Sequence, residues 1–461
     1  MRIKAVHVNE QERMSILKRQ SGNAASALSR RAFIGQAAAL ASGVWIRQSR
    51  AAEPKRQSAN EKLNLGFIGV GGRGWTNLQS LSRENVVALC DVDSVRASEA
   101  FNRFPRAPKY RDFRQMLDRE RSLDAIVIST PDHTHAVAAG AALQLHKHVY
   151  CEKPLVHDMG ELEKLVRLAA RANVATQMGN QGTALTGLAQ TAEAVQRGDI
   201  GDVREAHVWT NRPGEYWRQG LATPRGKAAA PASLDWDLWL GPAPQRAYDP
   251  VYVPFAWRGW RDFGTGALGD MGCHTLNLPW KALRLSAPTS IEAKTSQSAG
   301  DCYPLRSTVQ FDFPTRGTMG AVRLTWYDGG GMPPAAVAPG VKLPKTGAIL
   351  IGSKATLLSP GDYGARSVVL VGGQQKRIAN SVPALETARH YTDWLRACRG
   401  GTPAAANFGA VASLVELVLL GNIAVQIGRP LKWDDAKRQF INCPAANDCL
   451  TRQYREGWRF T

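Results

Sequence analysis

The stretch Leu63-Asn64-Leu65-Gly66-Phe67-Ile68-Gly69-Val70-Gly71-Gly72-Arg73-Gly74 decides how the rest of the chain reads. Leu63 to Val70 is a short apolar run of the kind that forms a buried parallel strand, and it passes directly into G-x-G-x-x-G. Each glycine of that pattern has a task. Gly69 permits a tight turn, Gly71 lets main chain approach a pyrophosphate, and Gly74 lets the next helix pack on the strand with its N-terminus aimed at the phosphates. Gly72 and Arg73 lie in the same turn and join them as cofactor-binding candidates. A second apolar run, Val86 to Cys90, ends in Asp91, 20 residues beyond Gly71. A carboxylate at that strand end can accept both hydrogen bonds of an adenosine ribose diol and repels a 2′-phosphate, which favours NAD over NADP. Asp93 competes for the role, and Arg96 keeps NADP open.

The alternation continues downstream. Tyr110 to Leu117 reads as a turn and helix, Leu123 to Ser129 as a buried strand, Ala136 to Leu145 as a helix and Lys147 to Tyr150 as a strand. Glu161 to Ala172 and Val174 to Met178 complete the pattern near Gly182. Strands alternating with helices at this spacing predict a Rossmann-type, doubly wound parallel sheet over residues 62–182, with ligands at the carboxyl ends of its strands. Polar clusters fall at those ends. Thr130, Pro131, Asp132 and His135 follow one strand, and Glu152 and Lys153 follow another.

From residue 183 to 461 the pattern changes to α+β. Successive runs from Val203, Ser290, Thr308, Gly317, Ala348, Ala355 and Val368 read as strands of an open, mostly antiparallel sheet. Helices are expected over 384–399 and 408–427, the second apolar on most sides and therefore buried. The intervening segment from Trp209 to Trp260 is rich in Trp, Tyr, Pro and Arg. Aromatic faces there either stack on sugar C–H faces or pack a long loop. Trp257, Arg258 and Arg261 are substrate candidates, and Asn180 beside Gln181 at the junction is another.

Bulk properties narrow the class. With 44% hydrophobic and 21% charged residues the chain is globular in composition. Net charge is +19, but residues 1–51 hold nine Lys/Arg against two Asp/Glu, and the remaining cations are scattered. No nucleic-acid signature accompanies them, so no nucleic-acid partner is expected. Ser29-Arg30-Arg31-Ala32-Phe33-Ile34 places paired arginines before an apolar stretch of about 15 residues, short of the ~20 that span a bilayer. Ser49-Arg50-Ala51 follows as a cleavage site. This resembles a twin-arginine export signal, which implies delivery of a folded protein to the periplasm and no integral membrane span. Residues 52–61 read as a linker. Seven cysteines without C-x-x-C spacing suggest neither a disulfide scaffold nor a zinc site, and no metal is expected; Cys443 and Cys449 are close enough in sequence to bridge.

Lys153, at a strand end beside Glu152, can donate to a substrate hydroxyl and stabilise the alkoxide formed as hydride leaves. Asp270 and His274 are four residues apart, one helical turn on one face. An imidazole of ordinary pKa, about 6.5, suits removal of a hydroxyl proton, and Asp270 can orient it or bind a hydroxyl itself. The glycine loop, STPDHTH at 129–135, EKP at 152–154 and GDMGCH at 269–274, in that order, resemble the Gfo/Idh/MocA oxidoreductases over nearly everything after residue 62. The resemblance implies that Lys153, Asp270 and His274 share the catalytic site and that Glu152 contacts the nicotinamide ribose. It also implies that the outer face of the second sheet makes dimer or tetramer contacts. Asn277 departs from it, standing where that family frequently has aspartate. The expected activity is hydride transfer between a sugar or polyol carbon and a tightly held NAD. A redox-neutral NAD-dependent glycosidase is the alternative, and a non-catalytic dinucleotide-binding regulator the third reading.

Overall fold

The computed structural model describes residues 61–460 except 227, 299, 372–373 and 378–386. The export signal and linker expected over 1–61 lie outside the described residues, apart from Glu61. The first sheet is built from β1 (Asn64–Ile68), β2 (Asn85–Cys90), β3 (Lys109–Tyr110), β4 (Ala125–Ile128), β5 (His148–Cys151) and β6 (Thr176–Met178), in the order β3-β2-β1-β4-β5-β6. All its pairings are parallel. Both faces are covered by helices, which is why the strands are apolar runs rather than alternating ones. The covering helices include α1 (Arg73–Leu81), α2 (Ser98–Arg103), α3 (Phe113–Arg119), α4 (His135–Gln144) and α5 (Met159–Ala172). Strand order reverses between β1 and β4, so a crevice opens above their carboxyl ends, at Gly69 and Ser129.

The helices α6 (Thr186–Gln196), α7 (Trp236–Leu240), α8 (Gly266–Thr275) and α9 (Asn277–Ala282) follow in chain order, with β7 (Val203–Trp209) between α6 and α7. Next come β8 (Ser290–Thr295), β9 (Ser307–Phe313), β10 (Val322–Tyr327), β11 (Gly347–Gly352), β12 (Thr356–Pro360), β13 (Val368–Val371) and β14 (Gln374–Arg377). After α10 (Thr387–Cys398) and α11 (Phe408–Ile427), the chain ends with β15 (Leu431–Asp434), β16 (Gln439–Phe440) and α12 (Pro444–Asp448). The second sheet runs β14-β13-β12-β11-β7-β10-β9-β8-β15-β16. It is antiparallel except where β10 pairs parallel with β7.

α11 is long and apolar enough to cross a membrane by composition, yet most of it is buried in the protein core. Asn407 caps its start by accepting from Ala410 N, and Gly428 ends it in the left-handed region at φ 70°. Its job is to back α8. A Cβ on Gly421 would stand 2.6 Å from Leu268 Cδ2, and Asn422 Nδ2 donates to Thr265 O at 2.8 Å. The helix that carries Asp270 and His274 is thus fixed from behind. All seven cysteines are free thiols, Cys443 and Cys449 included.

Candidate active site

The glycine loop is built as its pattern requires. A Cβ on Gly69, where φ is 77°, would meet Ser129 O at 2.8 Å, and one on Gly74 would meet Gly69 O at 2.0 Å. α1 therefore sits directly on the β1 turn, and no side chain caps its N-terminus. Main-chain donors and a positive helix end face the crevice, a cradle for an anion. Asp91 ends β2 there, but its carboxylate also accepts from Val70 N at 2.8 Å and Gly71 N at 3.3 Å, so it shapes the glycine loop. Burial raises its pKa.

One cleft of about 390 Å³ begins at this loop and continues to Lys153, Asp270 and His274. Gly69, Gly71, Gly72, Arg73, Asp91, Thr130, Pro131, Asp132 and Glu152 line it, as do Trp257 and Arg258. Arg73 is not spare for phosphate: its Nε donates to Glu152 Oε1 at 2.9 Å, and its Nη2 to Tyr391 OH at 3.3 Å. Burial alone would push the Glu152 carboxyl up. Arg73, Asn77 and Lys153 outweigh it and hold the pKa at about 2.

Lys153 Nζ donates to Asp270 Oδ1 and to Asp270 O, both at 2.7 Å, and Arg258 Nε donates to the same Oδ1 at 3.0 Å. Against the opposing effect of burial, those two cations keep Asp270 far below the usual carboxylate range. The expected Asp270–His274 partnership is therefore not made; Asp270 belongs to the cations. His274 instead contacts Asn180 Oδ1 through Nδ1 at 3.1 Å. A carboxamide oxygen only accepts, so Nδ1 carries the proton and Nε2 is the acceptor. Nor does His274 keep an ordinary imidazole pKa. Burial and the adjacent Lys153 charge depress it to about 3. His274 is neutral across the physiological range.

Several expected contacts take other positions. Asn180 does not line the cleft but orients His274, while its neighbour Gln181 does line it. His135 is a brace outside the cleft lining, its ring nitrogens 2.8 Å from Pro154 O and 2.9 Å from Thr130 O. It ties together the two loops that carry the polar clusters. Asp132 accepts from Thr265 N and Oγ1, at 3.1 and 2.6 Å, and so joins the first sheet to the start of α8. Gly74 packs beneath the loop rather than lining it. Arg261 leaves the cleft altogether, donating to Gly300 O at 3.3 Å near the Tyr303 ring. Asn277 is buried on Thr183 Oγ1 at 3.0 Å and does not line the cleft. Of the aromatic segment, Trp239, Tyr252, Trp257 and Trp260 pack with Phe263 in a core of their own, and only Trp239 and Trp257 of these reach the cleft. Burial pushes the Cys273 thiol up to about 12 and the Cys151 thiol well above its normal value, so neither is a nucleophile.

The structure adds residues that no motif announced. Gly361 and Gly364, at φ 82° and 67°, flank a tip between β12 and β13 that delivers Asp362 and Tyr363 into the cleft. Tyr363 meets His274 edge to face, centroids 4.8 Å apart, and Arg212 holds Asp362 at 3.6 Å. A strap from the second lobe covers the glycine-loop side. Asp93 and Leu234 form a β-bridge, Asp235 N donates to Val92 O at 2.9 Å, and Leu234, Leu238, Val253 and Phe255 line the cleft above it.

Known proteins show the same division. Residues 63–180 match the model of the oxidoreductase-family NAD-binding Rossmann fold, and residues 212–313 match that family's C-terminal alpha/beta domain. Inositol 2-dehydrogenase of Salmonella typhimurium is 26% identical over 151 residues, 32% of this chain and 45% of that protein. A glycosyl hydrolase family 109 protein of Stenotrophomonas maltophilia is 32% identical over 139 residues, 27% of this chain and 30% of that protein. The chain thus spans less than half the length of these relatives. The WlbA dehydrogenase of Chromobacterium violaceum, solved with NADH and UDP-GlcNAcA, superposes with a TM-score of 0.58 at 17% identity, covering 81% of this chain and 96% of that one. The crevice at the β1–β4 reversal, the ten-stranded second sheet and both family matches lead to one conclusion: over the two matched stretches the chain has the fold of the Gfo/Idh/MocA oxidoreductases.

Proposed function

We propose that this protein is an NAD-dependent oxidoreductase acting on a CH–OH carbon of a sugar or polyol, with residues 62–182 holding the cofactor and 183–461 completing the substrate site. One observation carries the reading. Lys153 from the first lobe and His274 from the second line the same cleft as the uncapped glycine loop. The close packing of Gly74 on Gly69 brings the N-terminus of α1 to the cleft, an arrangement that fits a dinucleotide's diphosphate, and NAD supplies the hydride acceptor when bound. Asp91 and Asp93 at the ribose end favour NAD over its 2′-phosphate form.

The residues divide the proton work. Lys153, pinned by Asp270, presents a positive donor to the substrate oxygen and stabilises the alkoxide as the C–H bond breaks. His274 Nε2 accepts the hydroxyl proton. Its low pKa is set partly by the Lys153 charge, and a developing alkoxide on Lys153 offsets that charge, so proton acceptance strengthens as the oxygen becomes anionic. Asp270 Oδ1 is taken by Lys153 and Arg258, which leaves Oδ2 for a substrate hydroxyl. Tyr363 offers a phenol beside them.

The twin-arginine pattern supports export to the periplasm through the twin-arginine machinery, where free NAD is scarce. The strap over the glycine-loop side supports a tightly held cofactor that is recycled in place. A homo-oligomer built on the second sheet follows from the family resemblance. The glycosidase reading is favoured by the family 109 relative, and it predicts cleavage of one pure glycoside with no added acceptor. The test is a screen of polyols, aldoses and glycosides against the purified, NAD-loaded protein, following nicotinamide absorbance and products. Change in either with wild type, and none with Lys153→Met, supports the proposal; no response to any substrate class refutes it.

A further inference from the structure

The chain's last stretch returns to the first lobe. Arg452 Nη2 donates to Glu161 Oε1 and to His133 O, both at 2.5 Å, and Tyr454 OH donates to the same Glu161 oxygen at 2.7 Å. Arg455 pairs with the Asp237 carboxylate and donates to Gly241 O at 2.9 Å, so it grips the strap. Phe460 fills the space over Gly140 of α4, where a Cβ would stand 2.1 Å from its ring. Between these anchors Trp458, 7% exposed, lines the cleft. The Arg114 guanidinium lies 4.1 Å over its ring, and the Phe113 ring centroid is 6.1 Å away.

Position gives this arrangement a meaning. Phe113 follows β3, Asp91 ends β2 and Lys153 follows β5, with β1 and β4 between. At roughly 4.8 Å per strand, the β2 and β5 ends are about 14 Å apart. If the Lys153 end takes the nicotinamide, as the functional proposal on which this rests holds, the Asp91 end takes the adenosine. Trp458, Phe113 and Leu238 are the apolar surfaces there. We infer that residues 452–458 are a clamp on the adenosine half of the dinucleotide, with Trp458 as its end wall, stapled to the first lobe through Arg452 and to the strap through Arg455. Neither matched family stretch, 63–180 or 212–313, includes this segment.

The test compares full-length wild type with Trp458→Ala, Trp458→Phe and Arg455→Ala, reading NADH dissociation by displacement in a stopped-flow fluorimeter and affinity for ADP-ribose and for nicotinamide mononucleotide. Trp458→Ala and Arg455→Ala should release NADH at least about tenfold faster, Trp458→Phe less so. ADP-ribose affinity should fall in parallel while mononucleotide affinity holds. Should Trp458→Ala fail to fold, Arg455→Ala carries the tenfold expectation and Trp458→Phe the smaller one. Folded variants that release NADH at the wild-type rate, or lose both ligands equally, overturn the clamp alone. A wild type that binds neither NADH nor ADP-ribose overturns the dinucleotide reading with it.

Discussion

At the scale of residues, charge decides the roles. Asp270 is committed to Lys153 and Arg258, and His274 to Asn180. Replacing Lys153 with Met should lower kcat by about 10²–10⁴ and leave NADH affinity in place, because the loss falls on the substrate oxygen. Asn180→Ala frees the imidazole tautomer without touching the cleft wall. It should lower kcat by about tenfold at unchanged cofactor affinity, a split that steady-state kinetics with direct NADH titration resolves. Since His274 is held near 3, the pH profile of kcat/KM should show no inflection from it near the ordinary histidine value of about 6.5. Such an inflection, present in wild type and absent in His274→Ala, would show the imidazole titrating freely.

At the scale of elements, the glycine loop is the most legible part of the chain and the most constrained. Gly74→Ala places a Cβ 2.0 Å from Gly69 O, so α1 must shift off β1. A loss of about 1–3 kcal/mol in stability is expected, with dinucleotide binding abolished, measurable by urea unfolding and NADH titration. Five of the six parallel strands could be read because burial on both faces makes them apolar runs; the two-residue edge strand Lys109–Tyr110, exposed and polar at its start, could not, and its tyrosine was read into the turn before α3. The edge strand Gln374–Arg377 (Gln-Gln-Lys-Arg) could not, since an edge strand is marked by polarity rather than by an apolar pattern. The parallel β7–β10 pair was equally invisible, because pairing partners distant in sequence leave no local trace. The tip carrying Asp362 and Tyr363 lies about 90 residues beyond GDMGCH, and its flanking glycines announce a turn without saying where it points. His135 and Asp132 show the same limit from another side. Their motif positions mark the cleft edge, and Asp132 lines it, but no spacing announces that the His135 ring and Asp132 Oδ2 also hold loops together.

At the scale of the whole molecule, two lobes legible separately make a site that was legible only in part. The sequence placed Lys153 and His274 in one cleft through a family resemblance; the strap and the tail that close its other end depend on tertiary contacts between distant segments. Buried neutral histidines also set the response to acid. His133, His157 and His274 are depressed to about 3 and His390 to about 4, chiefly by burial. Unfolding therefore takes up protons below the ordinary histidine pKa, and stability is lost as pH falls from about 6.5 toward 4. Carboxylates raised by burial oppose this with the reverse sign: Asp158 and Asp328, held at about 7 and about 6, and with them Asp91, Asp132, Asp262 and Glu416. The histidine part is therefore read by difference: the urea midpoint of His390→Gln should fall less, or rise more, between pH 7 and 5 than that of wild type, and an unchanged pH dependence would contradict the assignment. The most direct test of the central claim is isotope transfer. The NAD-loaded protein would be offered carbon-deuterated sugars and polyols and its cofactor analysed by mass spectrometry. Deuterium appearing in the nicotinamide of wild type, and not of Lys153→Met, is the predicted result. Its absence from wild type across the whole panel, or its undiminished appearance in the variant, would contradict the account.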